Sequence, residues 1–134
     1  MFTLNKQLEA DSLFVTDLTF CRVMLMNNAN FPWIVLVPRI FEAVELTDLS
    51  FEEQIGVLRE INLVAKFLQE KFSPHKLNIG AIGNIVRQLH VHVIARFEND
   101  KAFPKTVWGF EVKKYDEKAA DELIAQIKEA LSKQ

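Results

Sequence analysis

The segment "NIVRQLHVHVIARFE", residues 84–98, decides the fold of this chain. It carries two of the three histidines, His90 and His92, within an apolar run. Its β-branched and aromatic content predicts a strand over residues 86–97. Because side chains alternate between the two faces of a strand, we expect Gln88, His90 and His92 to share one face.

The two faces of this predicted strand differ in character. One face is an ordinary core face, made of Leu89, Val91, Val93 and Ala95. The other is polar, and burying polar side chains costs free energy unless partners satisfy them. Three interpretations compete at this point: ordinary surface or hydrogen-bonded histidines, a metal site built on H-x-H, and covalent catalysis by imidazole.

The metal interpretation is short of ligands. A site built on H-x-H needs a third and a fourth ligand. The sequence has a single cysteine, and His75 is the remaining histidine. Glu98 lies six residues beyond His92, which is a long reach along one strand. The metal site is therefore the weakest of the three interpretations, and it stays open.

Composition and charge bound the class of protein. The 134 residues suit one domain, and 49% hydrophobic with 25% charged residues is typical of globular proteins. A formal net charge of −2 favours no nucleic-acid partner. The lone Cys21, the lack of an apolar signal segment and the lack of a membrane-length apolar run together predict a cytoplasmic location, with no membrane partner.

Short strands and two helices account for the rest of the chain. Further strands are predicted over residues 12–17, 20–27, 33–38 and 76–82. Ser50 and Glu53 match a capping box at the start of a long helix that ends before Ser73-Pro74. A second amphipathic helix is predicted from about Asp116 to Ser132. This order predicts an α+β fold with a mostly antiparallel sheet.

The long central helix carries one apolar stripe at steps of three and four residues. Its members are Phe51, Ile55, Leu58, Ile61, Ala65, Leu68 and Phe72. An amphipathic helix of a globular protein buries its apolar stripe against the core. We therefore interpret this helix as a structural element of the fold.

A glycine-containing segment, "NIGAIGN", precedes the histidines and spans residues 78–84. Its two glycines allow the backbone to come close to a ligand. Asn84 and an exposed main-chain N–H are candidates for binding phosphate oxygens. A short G-x-x-G segment usually marks only a turn, so it becomes informative because the histidines follow.

Several segments, in order, resemble the histidine triad family. "QLHVHVI" is similar to the signature His-φ-His-φ-His-φ-φ, in which φ is apolar, with Gln88 in the first histidine's place. "MNNANFPWIVLVPR", "LTDLSFEE" and "LNIGAIGNIVRQLHVHVIAR" resemble the family's asparagine and strand, helix, and glycine segments. "AFPKTVWG" is similar to a bacterial subgroup that also carries Gln-x-His-x-His. The resemblance covers about residues 10–110.

This resemblance implies a HIT-like fold, over a single domain 1–134, and an enzyme. The expected activity is hydrolysis at the α-phosphate of a dinucleoside polyphosphate or nucleoside phosphoramidate. His90 takes the place of the nucleophile that forms a nucleotidyl-histidine intermediate. His92 takes the place of the histidine that contacts the phosphate and assists proton transfer. The resemblance also implies a homodimer, a small-molecule nucleotide ligand, no metal and no cofactor.

The resemblance also assigns substrate contacts. Asn84 takes the place of the polar residue that binds phosphate, and Asn27 that of the asparagine that contacts the ribose, with Asn28 and Asn30 as alternatives. Asn78 takes the place of the asparagine in the family's N-x-G segment. Phe31 and Trp33 lie near the region that would form a wall for the base. Trp33 also stands where many relatives have a further histidine.

The glutamine in the motif suggests an alternative function. Gln88 cannot carry a charge or relay a proton, so the alternative is a purine-nucleotide-binding module with low or no activity. The retained His90 and His92 favour the enzyme, because a pure binder has little use for a nucleophile beside the phosphate. Trp108 and Phe110, which follow a polar loop, either cap the site or pack in the core.

Overall fold

A five-stranded sheet forms the centre of the fold in the computed structural model, which describes residues 1–133. The strands are β1 (Ser12–Asp17), β2 (Cys21–Met26), β3 (Trp33–Pro38), β4 (Lys76–Gly80) and β5 (Val91–Arg96). The helices are α1 (Lys6–Asp11), α2 (Phe51–Phe72) and α3 (Glu117–Ser132), with a 3₁₀ turn at Leu46–Asp48. The predicted α+β fold is confirmed.

The sheet places the histidine strand among its neighbours. The strand order is β1-β2-β3-β5-β4, and every neighbouring pair is antiparallel. On β5, His92 lies opposite Val35 of β3 on one side and Gly80 of β4 on the other. Because β5 is paired along both edges, its backbone is fixed, and so is the face of the sheet on which the His92 side chain lies.

The two faces of the sheet have different covers. Helix α2 packs on β5 and β3, and α3 packs on β1 and α2. Leu89, Val91, Val93 and Ala95 belong to the core on this side, as predicted. On the opposite face, Trp33, Val35 and Ile94 pack with side chains from the N-terminal segment and from residues 102–110. The histidines lie on this second face.

The histidine strand is shorter than the sequence predicted. The strand was expected over residues 86–97, but β5 runs from Val91, the first residue with a partner on β3, to Arg96. His92 is therefore on the strand, while His90 is on the segment that leads into it. Alternation between faces holds only for paired, extended backbone, so the argument that aligned Gln88 with the histidines does not apply.

The other strand predictions differ from the structure only at their ends. Strands β1 and β3 have the predicted bounds. Strand β2 lacks the first and last residues of the predicted 20–27, and β4 lacks the last two of 76–82. Helix α3 begins one residue after Asp116, whose side chain accepts a hydrogen bond from the Ala119 N–H. Asp116 is therefore the N-cap.

The capping box at the start of α2 is confirmed. Ser50 Oγ accepts from the Glu53 N–H at 3.1 Å, and Glu53 Oε1 accepts from the Ser50 N–H at 2.7 Å. The helix ends at Phe72, where Ser73 adopts a left-handed conformation with φ of 47°. Both ends of α2 are thus fixed by local interactions, which is why the sequence predicted them well.

The predicted apolar stripe of α2 is only partly buried. Phe51, Ile55 and Leu58 are exposed, by 76%, 36% and 57%. The buried apolar side chains are Val57, Ile61, Val64, Ala65 and Leu68. The helix carries two overlapping apolar stripes, and the sheet covers the one that contains Val57 and Val64. The exposed stripe, Phe51, Ile55 and Leu58, is left on the flank of the helix.

The N-terminal helix α1 was not predicted. It has six residues, and the Asn5 side chain caps it by accepting from the Gln7 N–H at 2.8 Å. Six residues are too few to show an apolar period.

Within residues 1–133, none of the helices has the length and apolar character that a membrane crossing requires.

A buried arginine ties β4, β5 and the following loop together. Arg96 is 1% exposed and lies at the end of β5. Its guanidinium donates to both carboxylate oxygens of Asp100, to Asn78 Oδ1 at 2.8 Å and to the Lys105 carbonyl at 2.7 Å. Every branch of this buried charge is hydrogen-bonded, as burial of a charge requires.

We expect the ionisation of Asp100 to make the free energy of unfolding fall at acid pH. Burial alone would raise the pKa of Asp100, but hydrogen bonds from Arg96 and three main-chain N–H groups lower it from 3.8 to about 2. A carboxylate with a lowered pKa stabilises the fold above its unfolded pKa. That contribution, about 2 kcal/mol, is lost as pH falls from about 4 to about 2.

Urea unfolding between pH 2 and pH 6 measures this effect. Asp100→Asn should be less stable than wild type at pH 6, and the difference should shrink as pH falls to 2. Asp121→Asn, an exposed carboxyl on α3, is the control. A wild type and Asp100→Asn variant separated by the same free energy at every pH would contradict the prediction.

Candidate active site

A cavity of about 540 Å³ opens on the sheet face opposite α2 and α3. It brings together five of the residues predicted for the site: His90, His92, Trp33, Asn27 and Asn84. The cavity is within the size range of small-molecule sites, which are mostly apolar with a few placed polar groups.

His90 is held in one tautomer by the main chain. It is 6% exposed, and its Nδ1 lies 2.6 Å from the Gln88 carbonyl oxygen. A carbonyl oxygen can only accept a hydrogen bond, so Nδ1 must carry the hydrogen. The lone pair of the neutral ring is therefore on Nε2, and His90 lines the cavity. An imidazole in this state is a nucleophile that needs no further deprotonation.

His92 is held in one tautomer by an indole. Trp33 Nε1 lies 2.9 Å from His92 Nδ1, and an indole N–H can only donate. The His92 ring lies next to His90, with ring centroids 4.9 Å apart. Burial, and to a lesser extent the charge of His90, lowers the pKa of His92 from 6.5 to about 4. His92 is therefore neutral at pH 7.

The asparagines of the cavity wall are fixed to different degrees. Asn27 Oδ1 accepts from the Tyr115 N–H at 2.9 Å, which leaves the Nδ2 donors for a ligand. Asn28 is 2% exposed, and its Oδ1 accepts from the Asn30 and Lys113 N–H groups. Asn84 lies at the exposed rim, directly after Gly83, whose φ of +67° suits glycine.

The other three residues predicted for the site do not line the cavity. Gln88 Oε1 accepts from the Asn5 N–H at 2.8 Å, and its Nε2 donates to the Thr3 carbonyl at 2.9 Å. Asn78 Oδ1 accepts from the Arg96 guanidinium at 2.8 Å. Phe31 is fully buried, with its ring edge against Phe110 at 5.6 Å. Direct roles for these three at the substrate stay predictions.

Several lining residues were not singled out from the sequence. Leu8 and Asp11 come from the unpredicted α1, and Ile82, Ile85 and Lys114 come from irregular segments. Ile82 and Ile85 lie within the quoted segments 78–84 and 84–98, but apolar side chains there gave no signal of a ligand contact. Trp108 and Phe110 also line the cavity, and the Trp108 ring meets the His92 ring at 5.4 Å. They therefore both cap the site and pack in the core.

The H-x-H pair has no metal-site geometry around it. Within residues 1–133, no group of three or more histidine, cysteine, aspartate or glutamate side chains could hold a metal ion. His75 instead faces Glu98, with Nδ1 and Oε1 3.6 Å apart. Both Nδ1 atoms of the pair, on His90 and His92, already have hydrogen-bond partners.

Fold and site together define an α+β protein that presents two adjacent imidazoles to a small-molecule cavity. The HIT domain model matches residues 7–99, so the chain belongs to the HIT, or histidine triad, family. This family falls in a superfamily of nucleotide-binding hydrolases, whose members are generally nucleotide hydrolases and transferases. A comparison with curated proteins gave no match.

Three bacterial crystal structures are similar over nearly the whole chain. A histidine triad protein from Sinorhizobium meliloti 1021 is 42% identical, covers 96% of both chains and has a TM-score of 0.93. One from Bradyrhizobium japonicum is 38% identical over 96% of this chain and 97% of its own, with a TM-score of 0.93. One from Marinobacter aquaeolei VT8 is 35% identical over 99% and 98%, with a TM-score of 0.96.

Proposed function

We propose that this protein hydrolyses a nucleoside derivative at its α-phosphate through a nucleotidyl-histidine intermediate on His90. The observation that carries the proposal is the 2.6 Å contact between His90 Nδ1 and the Gln88 carbonyl. It leaves a nucleophilic Nε2 on a residue that lines the cavity. Dinucleoside polyphosphates and nucleoside phosphoramidates are the two candidate substrate types.

The proposed reaction has two steps. His90 Nε2 attacks the α-phosphorus, and the bond from phosphorus to the leaving oxygen or nitrogen breaks with its electron pair on the leaving group. Water then attacks the same phosphorus and loses one proton to the solvent. The P–N bond to His90 breaks and returns its electron pair to Nε2, which releases the mononucleotide. Asn84 and His92 donate to the equatorial oxygens, where charge gathers in both transition states.

The remaining predicted residues have supporting roles in this proposal. Asn27 Nδ2 binds a ribose hydroxyl, and the Trp33 and Trp108 rings form apolar wall near the nucleoside. Phe31 supports the wall from behind, through its contact with Phe110. Asn78 acts at a distance, by holding Arg96. Gln88 orients His90 through its main-chain carbonyl, while its side chain anchors the N-terminal segment.

Trapping the intermediate tests the proposed function. Metal-free protein is mixed with adenosine and guanosine versions of both substrate types and quenched in alkali, in which a phosphohistidine survives. Intact mass should show one nucleotidyl group, and peptide mapping should place it on His90. Release of mononucleotide with no adduct at any time after mixing would mean that water attacks directly.

Gln88 gives specific support to one alternative, a nucleotide-binding module with little turnover. Its side chain is bonded to Thr3 and Asn5 and supplies no group to the reacting phosphate. If catalysis needs a histidine side chain at position 88, the protein would bind purine mononucleotides but would not release them from any substrate. Calorimetry with AMP and GMP, beside the turnover panel, separates the two functions.

We also propose that the protein is a homodimer and acts in the cytoplasm. Strand β4 is at the edge of the sheet, where one row of main-chain groups has no partner strand among residues 1–133. Ile79 on β4 is 50% exposed, and the exposed stripe of α2 is apolar. A second copy that pairs along β4 and covers this stripe would bury both features.

Charge in the exposed stripe of α2 is expected to dissociate the dimer. Leu58→Asp would place a carboxylate in the proposed apolar interface, so light scattering at micromolar concentration should fall from twice 15.5 kDa to the monomer mass. Phe14→Asp, on the opposite edge strand β1, should stay dimeric. If the wild-type protein were monomeric at about 50 µM, this result would contradict the proposed dimer.

A further inference from the structure

The contact between Trp33 and His92 determines which ring nitrogen of His92 can be protonated. The indole N–H points its hydrogen at His92 Nδ1 over 2.9 Å, so the lone pair of His92 is on Nδ1. The ring hydrogen is then on Nε2. A second proton could be added only at Nδ1, the atom that the indole already occupies.

We propose that Trp33 is a positioning residue that keeps His92 as a fixed Nε2–H hydrogen-bond donor to the phosphoryl oxygens and prevents it from carrying protons. Protonation at Nδ1 would set two N–H groups against each other. It would also leave the indole N–H of Trp33, a side chain only 7% exposed, without its acceptor. Such a loss is unfavourable because a buried donor keeps none of its interactions with water.

The groups in contact with His92 also disfavour its protonation. Its neighbours on the sheet are Val35 and Gly80, and the Trp108 ring meets it edge-on at 5.4 Å. The titratable group in contact with it is His90, whose charge opposes protonation of His92. The charged side chains that line the same cavity are of opposite sign, Asp11 and Lys114.

This inference narrows the substrate class, and that step rests on the proposed function. If His92 cannot deliver a proton, the leaving group must depart as a stable anion. A phosphate oxygen of a nucleoside polyphosphate can take the electron pair of the broken P–O bond and leave unprotonated. An alkylamine needs a proton on nitrogen before the P–N bond breaks. We therefore expect anhydride substrates, such as dinucleoside polyphosphates, rather than alkyl phosphoramidates.

Nitrogen NMR of the resting protein tests the tautomer without any substrate. In ¹⁵N-labelled protein, with His92 assigned by loss of its signals in His92→Gln, Nδ1 should have the shift of an unprotonated nitrogen and Nε2 that of N–H. This pattern should hold from pH 8 down to pH 5. A hydrogen on Nδ1 in the wild type would overturn the proposal, whatever the variants do.

Two matched tryptophan variants separate the hydrogen bond from packing. Trp33→Phe keeps an aromatic ring and removes the donor, so His92 should show mixed tautomers and titrate at least about one pH unit higher. Trp108→Phe removes the other indole in ring contact with His92 and should keep the wild-type tautomer. An unchanged tautomer and titration in Trp33→Phe would overturn the role of Trp33.

A series of leaving groups tests the consequence for substrates. AMP esters of phenols of graded acidity should react more slowly as the phenol becomes less acidic, and an AMP alkylamide should be at least about 10²-fold slower than diadenosine triphosphate. Equal rates for the alkylamide and the anhydride would show that a proton is delivered. Failure of every compound would refute the proposed function, while the NMR result would still decide the tautomer.

Discussion

Replacing His90 by asparagine is expected to lower the rate of nucleotide release by at least about 10⁴-fold, because the proposed reaction loses its nucleophile. Asparagine is chosen because its amide can still donate to the Gln88 carbonyl, as His90 Nδ1 does. The segment before β5 should then keep its conformation. Single-turnover kinetics should show the loss in the chemical step, while calorimetry should show AMP affinity within about threefold of wild type.

A histidine outside the cavity provides the matched control. His75 is half exposed and faces Glu98. His75→Asn makes the same chemical change and should keep the wild-type rate. If His90→Asn retained more than about a tenth of that rate, direct attack by water would replace the covalent mechanism. If His75→Asn were equally impaired, the effect would come from general loss of histidine or from misfolding.

Local signals in the sequence predicted the parts of this protein that local interactions determine. The H-x-H spacing predicted two neighbouring imidazoles, and the rings of His90 and His92 are 4.9 Å apart. The S-x-x-E pattern predicted both hydrogen bonds at the start of α2. In each case the interacting groups are two or three residues apart in the chain. Their geometry therefore follows from a short segment.

Tertiary contacts determined what the sequence could not predict. Strand β5 starts at Val91 because its partner β3 provides no pairing before that residue. Gln88 turns towards Thr3 and Asn5, more than 80 residues away in the chain. The choice between the two stripes of α2 depends on where the sheet lies. No periodicity within a segment contains information about such distant partners.

The position of Gln88 reconciles its identity with the proposed chemistry. The group that it offers to His90 is the main-chain carbonyl, and every amino acid has one. A histidine and a glutamine at this position can therefore fix the same tautomer of His90, the proposed nucleophile. What the glutamine side chain adds here is a pair of hydrogen bonds to the segment that leads into α1, which lines the cavity through Leu8 and Asp11.

Replacing Arg96 by methionine is expected to reduce the free energy of unfolding by about 3–5 kcal/mol. The guanidinium is buried and makes four hydrogen bonds, two of them to Asp100. Methionine fills much of the volume but leaves the Asp100 carboxylate, whose side chain is 5% exposed, without its counter-charge. Urea unfolding at pH 7 measures the change. The double variant Arg96→Met/Asp100→Leu should recover part of the loss, because no unpaired charge remains.

The same change should also weaken nucleotide binding, because Arg96 connects the sheet to a wall of the cavity. It donates to the Lys105 carbonyl, just before the segment that contributes Val107, Trp108 and Phe110 to the lining. Arg22→Met is the matched control: Arg22 also pairs with an aspartate at 2.8 Å, Asp17, but both side chains are partly exposed. It should cost about 1 kcal/mol or less. Equal losses of unfolding free energy in Arg96→Met and Arg22→Met would show that burial of the ion pair has no special effect.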